Sequence, residues 1–376
     1  MQTFSEKTDV HPDQLELARV FSSVWLYGPP MCSELIRLVA HLFTPEEART
    51  ARHLSYYIPI SAEKVARRAK EPAAHVETLL EAMADKRVIF RSDKKRYAIL
   101  PLIPGMFEYL LMTGEDSPWH REYGRLINAL YATGYTRRYS TTPSPMIRNI
   151  PLQEAVEHKS TMVDADLVEK MIEAHENLAV LNVCQCRQSH AFEGRSCSRS
   201  HPEDGCLVFG TLAESVASQG VGRLVTRTEM SDIVKRRWEM NLVFMTANIH
   251  PSSSNAICTC CDCCCHYIES INRFNGRVSL AEPHYLAVMD EEFCTNCGKC
   301  ARVCNTRAHT MTGREHAYRV DNCIGCGQCV AACPQGIITL RENPGYTPPS
   351  KSWLSFGLKV LPSGVLSSLK ALFRKG

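Results

Sequence analysis

The stretch CTNCGKCARVC, residues 294–304, spaces its thiols as Cys294-x2-Cys297-x2-Cys300-x3-Cys304. CIGCGQCVAACP, residues 323–334, repeats the pattern as Cys323-x2-Cys326-x2-Cys329-x3-Cys333-Pro334. Three thiols at this spacing on a tight loop converge on one point. The fourth leads into a helix and reaches away from it. Gly298, Gly325 and Gly327 let the backbone wrap closely and aim N–H groups inward. A structural zinc site needs four ligands and no duplication, so the repeat argues for polynuclear centres held by sulfur.

Residues 290–342 resemble the bacterial two-cluster ferredoxins, in which each run gives three ligands to one cubane and its fourth cysteine to the other. The resemblance implies one [4Fe–4S] cluster on Cys294, Cys297, Cys300 and Cys333. It implies a second on Cys323, Cys326, Cys329 and Cys304. Asn305 departs from the pattern, since the family usually has proline after the fourth cysteine. That change alters the local turn and removes no ligand.

Working outward, cysteine dominates the composition. The chain has 376 residues and 19 cysteines, of which only Cys32 precedes residue 184. A disulfide framework belongs to short secreted chains. This chain starts MQTFSEKTDVHPDQ, with no basic n-region, apolar h-region or twin-arginine pair. The thiols are therefore expected in a reducing cytoplasm, where close spacing means metal. No apolar run is long enough to span a bilayer.

Ten more cysteines precede the two runs. NVCQCRQSHAFEGRSCSRSHPEDGCLVFG carries Cys184, Cys186, Cys197 and Cys206, and CTCCDCCC carries Cys258, Cys260, Cys261, Cys263, Cys264 and Cys265. Over about residues 180–340 the chain resembles a group of ferredoxin-type 4Fe-4S proteins of anaerobic bacteria. They have a C-x-C-R…C…C segment, then C-x-C-C-x-C-C-C, then the ferredoxin runs. The resemblance implies extra metal centres and names no substrate. Geometry agrees that the six-cysteine run cannot act alone. As a strand it sets Cys258, Cys260 and Cys264 against Cys261, Cys263 and Cys265. As a helix it groups Cys260, Cys261 and Cys264. Only about three thiols reach one centre, so the Cys184–Cys206 segment is the natural donor of the rest. One or two further [4Fe–4S] clusters, a centre with bridging thiolates, and zinc or a redox dithiol set all remain open. His190, His201 and His266 are candidate ligands among these thiols, more simply read as surface or neighbouring residues. Arg187 is a candidate counter-charge, more simply read as solvated.

The expected fold class is α+β. Residues 1–140 read as a helical, winged-helix-like docking domain, residues 141–152 as a linker, and 153–289 as a cysteine-rich α/β domain. Residues 290–342 form the ferredoxin domain, 343–350 a second linker, and 351–376 a basic amphipathic tail. In the front domain, ISAEKVARRAK with Ser61 as N-cap and EPAAHVETLLEAMADK are helices, and RVIFRSDKKRYAIL is a hairpin tipped at Ser92–Lys95. The second helix exposes His75, Glu77, Thr78 and Glu81, which suits phosphate poorly, so nucleic acid is not the expected partner. In the middle domain MIRNIPL is expected as a strand, DADLVEKMIEAHE as a helix capped by Asp164, and LAVLNVCQC as a buried strand. LVFGTLAESVAS is expected as a helix, TRTEMSDIVKRRWEMN as a helix with the capping box Thr226-x-x-Glu229, and LVFMTANI as a strand.

In the tail, Val365, Leu366, Leu369, Leu372 and Phe373 form a stripe. Lys351, Lys359, Lys370, Arg374 and Lys375 carry more charge than the whole chain's net +3. Such a helix suits the inner face of the membrane or a protein surface. The leading expectation is an iron–sulfur electron-transfer protein working between redox partners or within a larger oxidoreductase in anaerobic metabolism. The alternatives are a reductase whose active site is the middle thiol centre, and a redox-sensing DNA-binding regulator. No catalytic residue is assigned.

Overall fold

The computed structural model describes residues 10–135, 145–152, 167–274, 280–360 and 362. It divides into two units, one holding the residues up to Tyr135 together with Gln188–Gly194, the other holding the remainder.

The first unit is helical because its apolar residues recur at helical spacing between good caps. Pro12–Phe21 opens with a capping box between His11 and Gln14, and Pro45–Ala51 with one between Thr44 and Glu47. Ser33–Leu42 buries Leu35, Leu38, Val39 and Leu42 on one stripe. Ala62–Ala69 and Ala73–Asp85 follow, then the short antiparallel pair β1 (Phe90–Arg91) and β2 (Tyr97–Ala98). Ser61 stands at the N-cap as expected, but its side chain does not cap the helix. Pro118–Ala132 completes the core with Tyr123, Ile127 and Leu130. Asn128 on this helix donates to the Ser189 carbonyl at 3.0 Å and accepts from the Ser189 hydroxyl at 3.2 Å.

The second unit is built on a six-stranded antiparallel sheet. Its strands are β3 (Ile147–Asn149), β4 (Leu178–Leu181), β5 (Leu207–Phe209), β6 (Gly222–Leu224), β7 (Val243–Ala247) and β8 (Ala256–Cys260), in the order β3-β7-β8-β5-β4-β6. Side chains alternate between its faces. Leu178, Val180, Phe244 and Ile257 face one core with Met230, Ile233 and Trp238 of the helix Arg227–Glu239. Val243, Met245 and Cys260 face another core with Ile268 and Ile271 of the helix His266–Phe274.

Three local expectations change. LAVLNVCQC is a strand only to Leu181. The chain then turns, with Asn182 N–H donating to the Val221 carbonyl, and Cys186 lies in the helix Gln185–Ala191. LVFGTLAESVAS is β5 plus the helix Thr211–Ser218, broken at Gly210, whose φ of 63° suits glycine. Thr226 does cap its helix, accepting from Glu229 N–H at 3.2 Å, while the Glu229 carboxylate turns to Arg223. Asp164 and the stripe Val365–Phe373 lie outside the described residues.

The two ends expected as linkers are tied to this unit. Ile147–Asn149 is the edge strand β3, and Ser350 exchanges backbone hydrogen bonds with Asn248 and His250. The ferredoxin-type segment begins at β9 (Tyr285–Met289), which pairs antiparallel with β12 (Ile338–Glu342). Between them lies the hairpin of β10 (His309–Thr312) and β11 (Glu315–Tyr318). Each cysteine run thus sits in the same frame of strand, 3-10 turn, loop, short helix and strand.

Candidate metal centres

Both ferredoxin runs are shaped by left-handed backbone at matching positions. Asn296 and Gly325, each between the first two cysteines, have φ of 54° and 68°. Gly298 and Gly327, after the second cysteine, have φ of 71° and 82° and start the helices Lys299–Val303 and Gln328–Ala332. At Gly325 only glycine fits, because a Cβ would lie 2.2 Å from the Tyr285 carbonyl oxygen. The thiols consequently surround two cavities. One is lined by Cys294, Cys297, Cys300 and Cys333. The other is lined by Cys304, Cys323, Cys326 and Cys329. Each run places three thiols at one cavity and its fourth at the other, which is the donor set and the cradle that a [4Fe–4S] cluster requires.

The cavities differ in exposure. Cys297 is exposed, whereas Cys323 and Cys329 are buried. Burial pushes the Cys326 thiol up to about 12 and Cys329 well above its ordinary range. Backbone N–H donation from Lys299 pulls Cys297 down. Burial also pushes up Cys300 of the first set, and ligand thiols must lose their protons to bind. Two histidines that sequence reasoning missed stand between the sets. His316 lines the first cavity and His309 the second, and their rings share a hydrogen bond of 2.9 Å between Nδ1 of His309 and Nε2 of His316. Their place on the hairpin joining the two runs was the available signal.

Asn305, the departure from the ferredoxin pattern, is buried and fully bonded. Its Oδ1 accepts from Asp262 N–H at 3.0 Å, and its Nδ2 donates to the carbonyls of Asn241 at 2.8 Å and Val303 at 3.3 Å. Its own carbonyl accepts from Asn272 Nδ2 at 2.9 Å. Proline could make none of the side-chain bonds. The first run is thereby fastened, one residue past Cys304, to the turn that carries the middle thiols.

That turn resolves the six-cysteine stretch. It is neither strand nor helix throughout. The strand ends at Cys260, a turn holds Asp262, Cys263 and Cys264, and a helix starts at His266. Cys258 and Cys260 share a sheet face, as alternation requires. The next thiols swing away. Cys261, Cys263 and Cys264 meet Cys197, and all four sulfurs lie within 4.8 Å of one another. The separations are 3.6 Å for Cys197–Cys261, 3.4 Å for Cys197–Cys263 and 3.7 Å for Cys263–Cys264. Three thiols from the run and one from the upstream segment thus form one group, as the sequence reading asked, but not the three it named. Hydrogen bonds from Cys261, Cys263 and Cys264 push the Cys197 thiol far down, and the resulting thiolate pushes Cys261 and Cys264 up.

The other six thiols gather more loosely. Cys206 lies 3.8 Å from Cys258 across β5 and β8. Cys258 and Cys265 are each hydrogen-bonded to Cys260, and Cys184 and Cys186 add their fields to Cys206. Gly205 permits this approach, since a Cβ there would lie 2.1 Å from the Leu181 carbonyl oxygen. Arg187 is not solvated as first read. It is buried, donating to the carbonyls of Asp204 at 2.9 Å and Thr259 at 2.6 Å. Burial opposes its charge, and the thiols of Cys184, Cys261, Cys197 and Cys260 outweigh that opposition. Arg237, unforeseen because it lies on a different helix, is a second buried cation beside Asp204. Among the described residues His190, His201 and His266 join no metal-ligating group of three or more.

A family model described as a 4Fe-4S dicluster domain matches residues 287–340. An uncharacterized ferredoxin of Methanocaldococcus jannaschii is 33% identical over 58 residues, 14% of this chain and 75% of that protein. The arsenate respiratory reductase iron–sulfur subunit of Shewanella sp. strain ANA-3 is 27% identical over 133 residues, 32% of this chain and 54% of the subunit. An archaeal-type glutamate synthase of Thermotoga maritima is 32% identical over 73 residues, 19% of this chain, and the chain spans only 14% of that enzyme's length. No solved structure matches.

Proposed function

We propose, from the premise that through residues 287–340 the chain belongs to the 4Fe-4S dicluster ferredoxin family, that it is an iron–sulfur electron-transfer protein serving redox partners in anaerobic metabolism. The observation that carries this reading is the pair of cavities, each lined by one complete crossed set of four thiols. Cys294, Cys297, Cys300 and Cys333 would hold one [4Fe–4S] cluster, and Cys304, Cys323, Cys326 and Cys329 the other. Bound clusters of this kind supply reversible one-electron redox chemistry. The six thiols Cys184, Cys186, Cys206, Cys258, Cys260 and Cys265, too many for one ion, would hold a further iron–sulfur centre, with Arg187 and Arg237 offsetting its negative charge. The exposed first set, with Cys297 and the 64% exposed Phe293 beside Cys294, is where a partner would exchange electrons. The buried second set, fastened through Asn305, faces the middle thiols.

In the first unit, the two helices and the hairpin β1–β2 support a winged-helix-like docking domain. DNA is disfavoured because Arg91 of the hairpin is paired with Glu81 and Asp85, and Lys95 also reaches Glu81. Exposed Trp25, Tyr57 and Ile58 suit a protein partner better. Residues 353–360 are helical and expose Trp353, Leu354 and Leu358, which supports an amphipathic tail on a membrane face in the cytoplasm. Among the described residues no helix is long and apolar enough to cross a membrane. The relative from Shewanella suggests, by analogy, service to a respiratory reductase.

A second reading, reduction of a small polar molecule at the six-thiol centre, is favoured by a groove of about 320 Å³ lined by Glu203, Asp204, Arg223, Arg236 and Arg237. Anaerobic potentiometric titration followed by electron paramagnetic resonance tests both readings. The carrier reading expects reversible one-electron steps insensitive to added small molecules. It fails if no low-potential iron–sulfur signal develops on reduction. The reductase reading fails if no small anion perturbs any signal.

A further inference from the structure

The middle thiols divide unequally, and the packed group has the wrong dimensions for a cubane. A four-iron cube puts its own irons and sulfides between the ligands and spreads them apart. The two ferredoxin sets have the wider spacing this requires. Each lines an open pocket. Among the described residues, neither brings its four sulfurs as close as the Cys197 group does. One tetrahedral ion behaves differently. With metal–sulfur bonds of about 2.3 Å, the edges of the sulfur tetrahedron are about 3.8 Å. The sulfur separations of 3.4, 3.6 and 3.7 Å approach that edge. They are far beyond the roughly 2.0 Å of a disulfide.

The surroundings fit a single ion as well. Cys261 and Cys264 are buried and Cys263 is exposed, so the group is closed on the inside and reachable from solvent. Four thiolates on a divalent ion leave a net negative charge. Arg187 lies buried beside the group, and Arg199 is anchored to Asp262 at 2.6 Å, between two of the ligands. Asp262 N–H is the group that donates to Asn305. An ion here would tie the loop of Cys197 to the turn of Cys261–Cys264, and through Asp262 would brace the first ferredoxin run.

We propose that Cys197, Cys261, Cys263 and Cys264 form a mononuclear tetrathiolate site for one divalent ion, zinc or iron(II), separate from every iron–sulfur cluster and acting as a structural clamp. A closed four-sulfur tetrahedron is the ligand set of structural zinc. The site stands independently of the ferredoxin clusters, so its failure and theirs are distinguishable.

The test uses the full chain, purified anaerobically from medium containing both metals. Zinc, iron and acid-labile sulfide are counted per chain for the wild type and for Cys197→Ala and Cys263→Ala. The proposal expects each variant to lose one metal equivalent with sulfide unchanged. Loss of about four irons together with about four sulfides, the content of one cubane, would overturn it, as would unchanged metal content. A second measurement needs no variant. Zinc-edge X-ray absorption of the wild type, or its Mössbauer spectrum if the ion is iron, is expected to report four sulfur neighbours at about 2.3 Å. A nearby second metal, or a shell of nitrogen or oxygen, would overturn the proposal.

Discussion

Four thiols are arranged in two ways in this molecule. In the ferredoxin sets they stand around two open pockets. In the Cys197 group they lie against one another, all within 4.8 Å. The difference traces to the backbone between ligands. Two-residue spacers with left-handed Asn296, Gly298, Gly325 and Gly327 wrap the chain around a volume. The single Asp262 between Cys261 and Cys263 leaves no room to wrap and folds the thiols onto a point. Spacer length thus separates thiols that ring a pocket from thiols that meet at a point, within these three sets.

The comparison is most forcibly broken by removing a ligand from the buried set. Cys323→Ala should abolish the second cluster and destabilise the ferredoxin segment by more than about 4 kcal/mol, since metal binding there is also folding energy. Iron analysis and thermal unfolding should both register it. A milder break exchanges the spacers. Gly325→Asn copies the first run but drives a Cβ to 2.2 Å from the Tyr285 carbonyl. It should cost about 2–3 kcal/mol and deplete the second cluster. Asn296→Gly should change stability by less than about 0.5 kcal/mol in chemical denaturation. Next, Asn305→Ala removes the buried bonds to Asp262 and Asn241. A loss of about 1–2 kcal/mol with iron content unchanged is expected. If iron falls as well, Asn305 has a role beyond fastening. Smallest is Arg199→Met, which frees Asp262 and should weaken metal retention at the Cys197 group about tenfold in chelator competition while leaving sulfide intact.

What the sequence made legible follows the range of the interactions. The grouping of the ferredoxin thiols around two pockets could be read because three of each four sit on one loop and the fourth follows at a fixed spacing. The helices of the first unit were legible from stripes such as Leu35, Leu38, Val39 and Leu42. The Cys197 group was not, because Cys197 reaches Cys261 from 64 positions away and no spacing encodes that. The periodic readings of residues 258–265 failed for a related reason, since the stretch changes from strand to turn to helix within itself. Arg187 looked like a surface cation because its neighbours in sequence do not reveal the carbonyls of Asp204 and Thr259 that bury it. The histidine pair escaped notice because its two rings meet only when β10 and β11 pair.

The ferredoxin thiols, ringed around pockets, are expected to bind iron–sulfur clusters, and the four thiols of the Cys197 group one ion. Acid-labile sulfide, iron and zinc counted together on the anaerobic full chain test this directly. At four sulfides per cubane, the account predicts about eight sulfides from the ferredoxin sets, more from the six-thiol centre, and one metal ion in excess of sulfide. Fewer than about eight sulfides, or a metal count with no excess over sulfide, would contradict it.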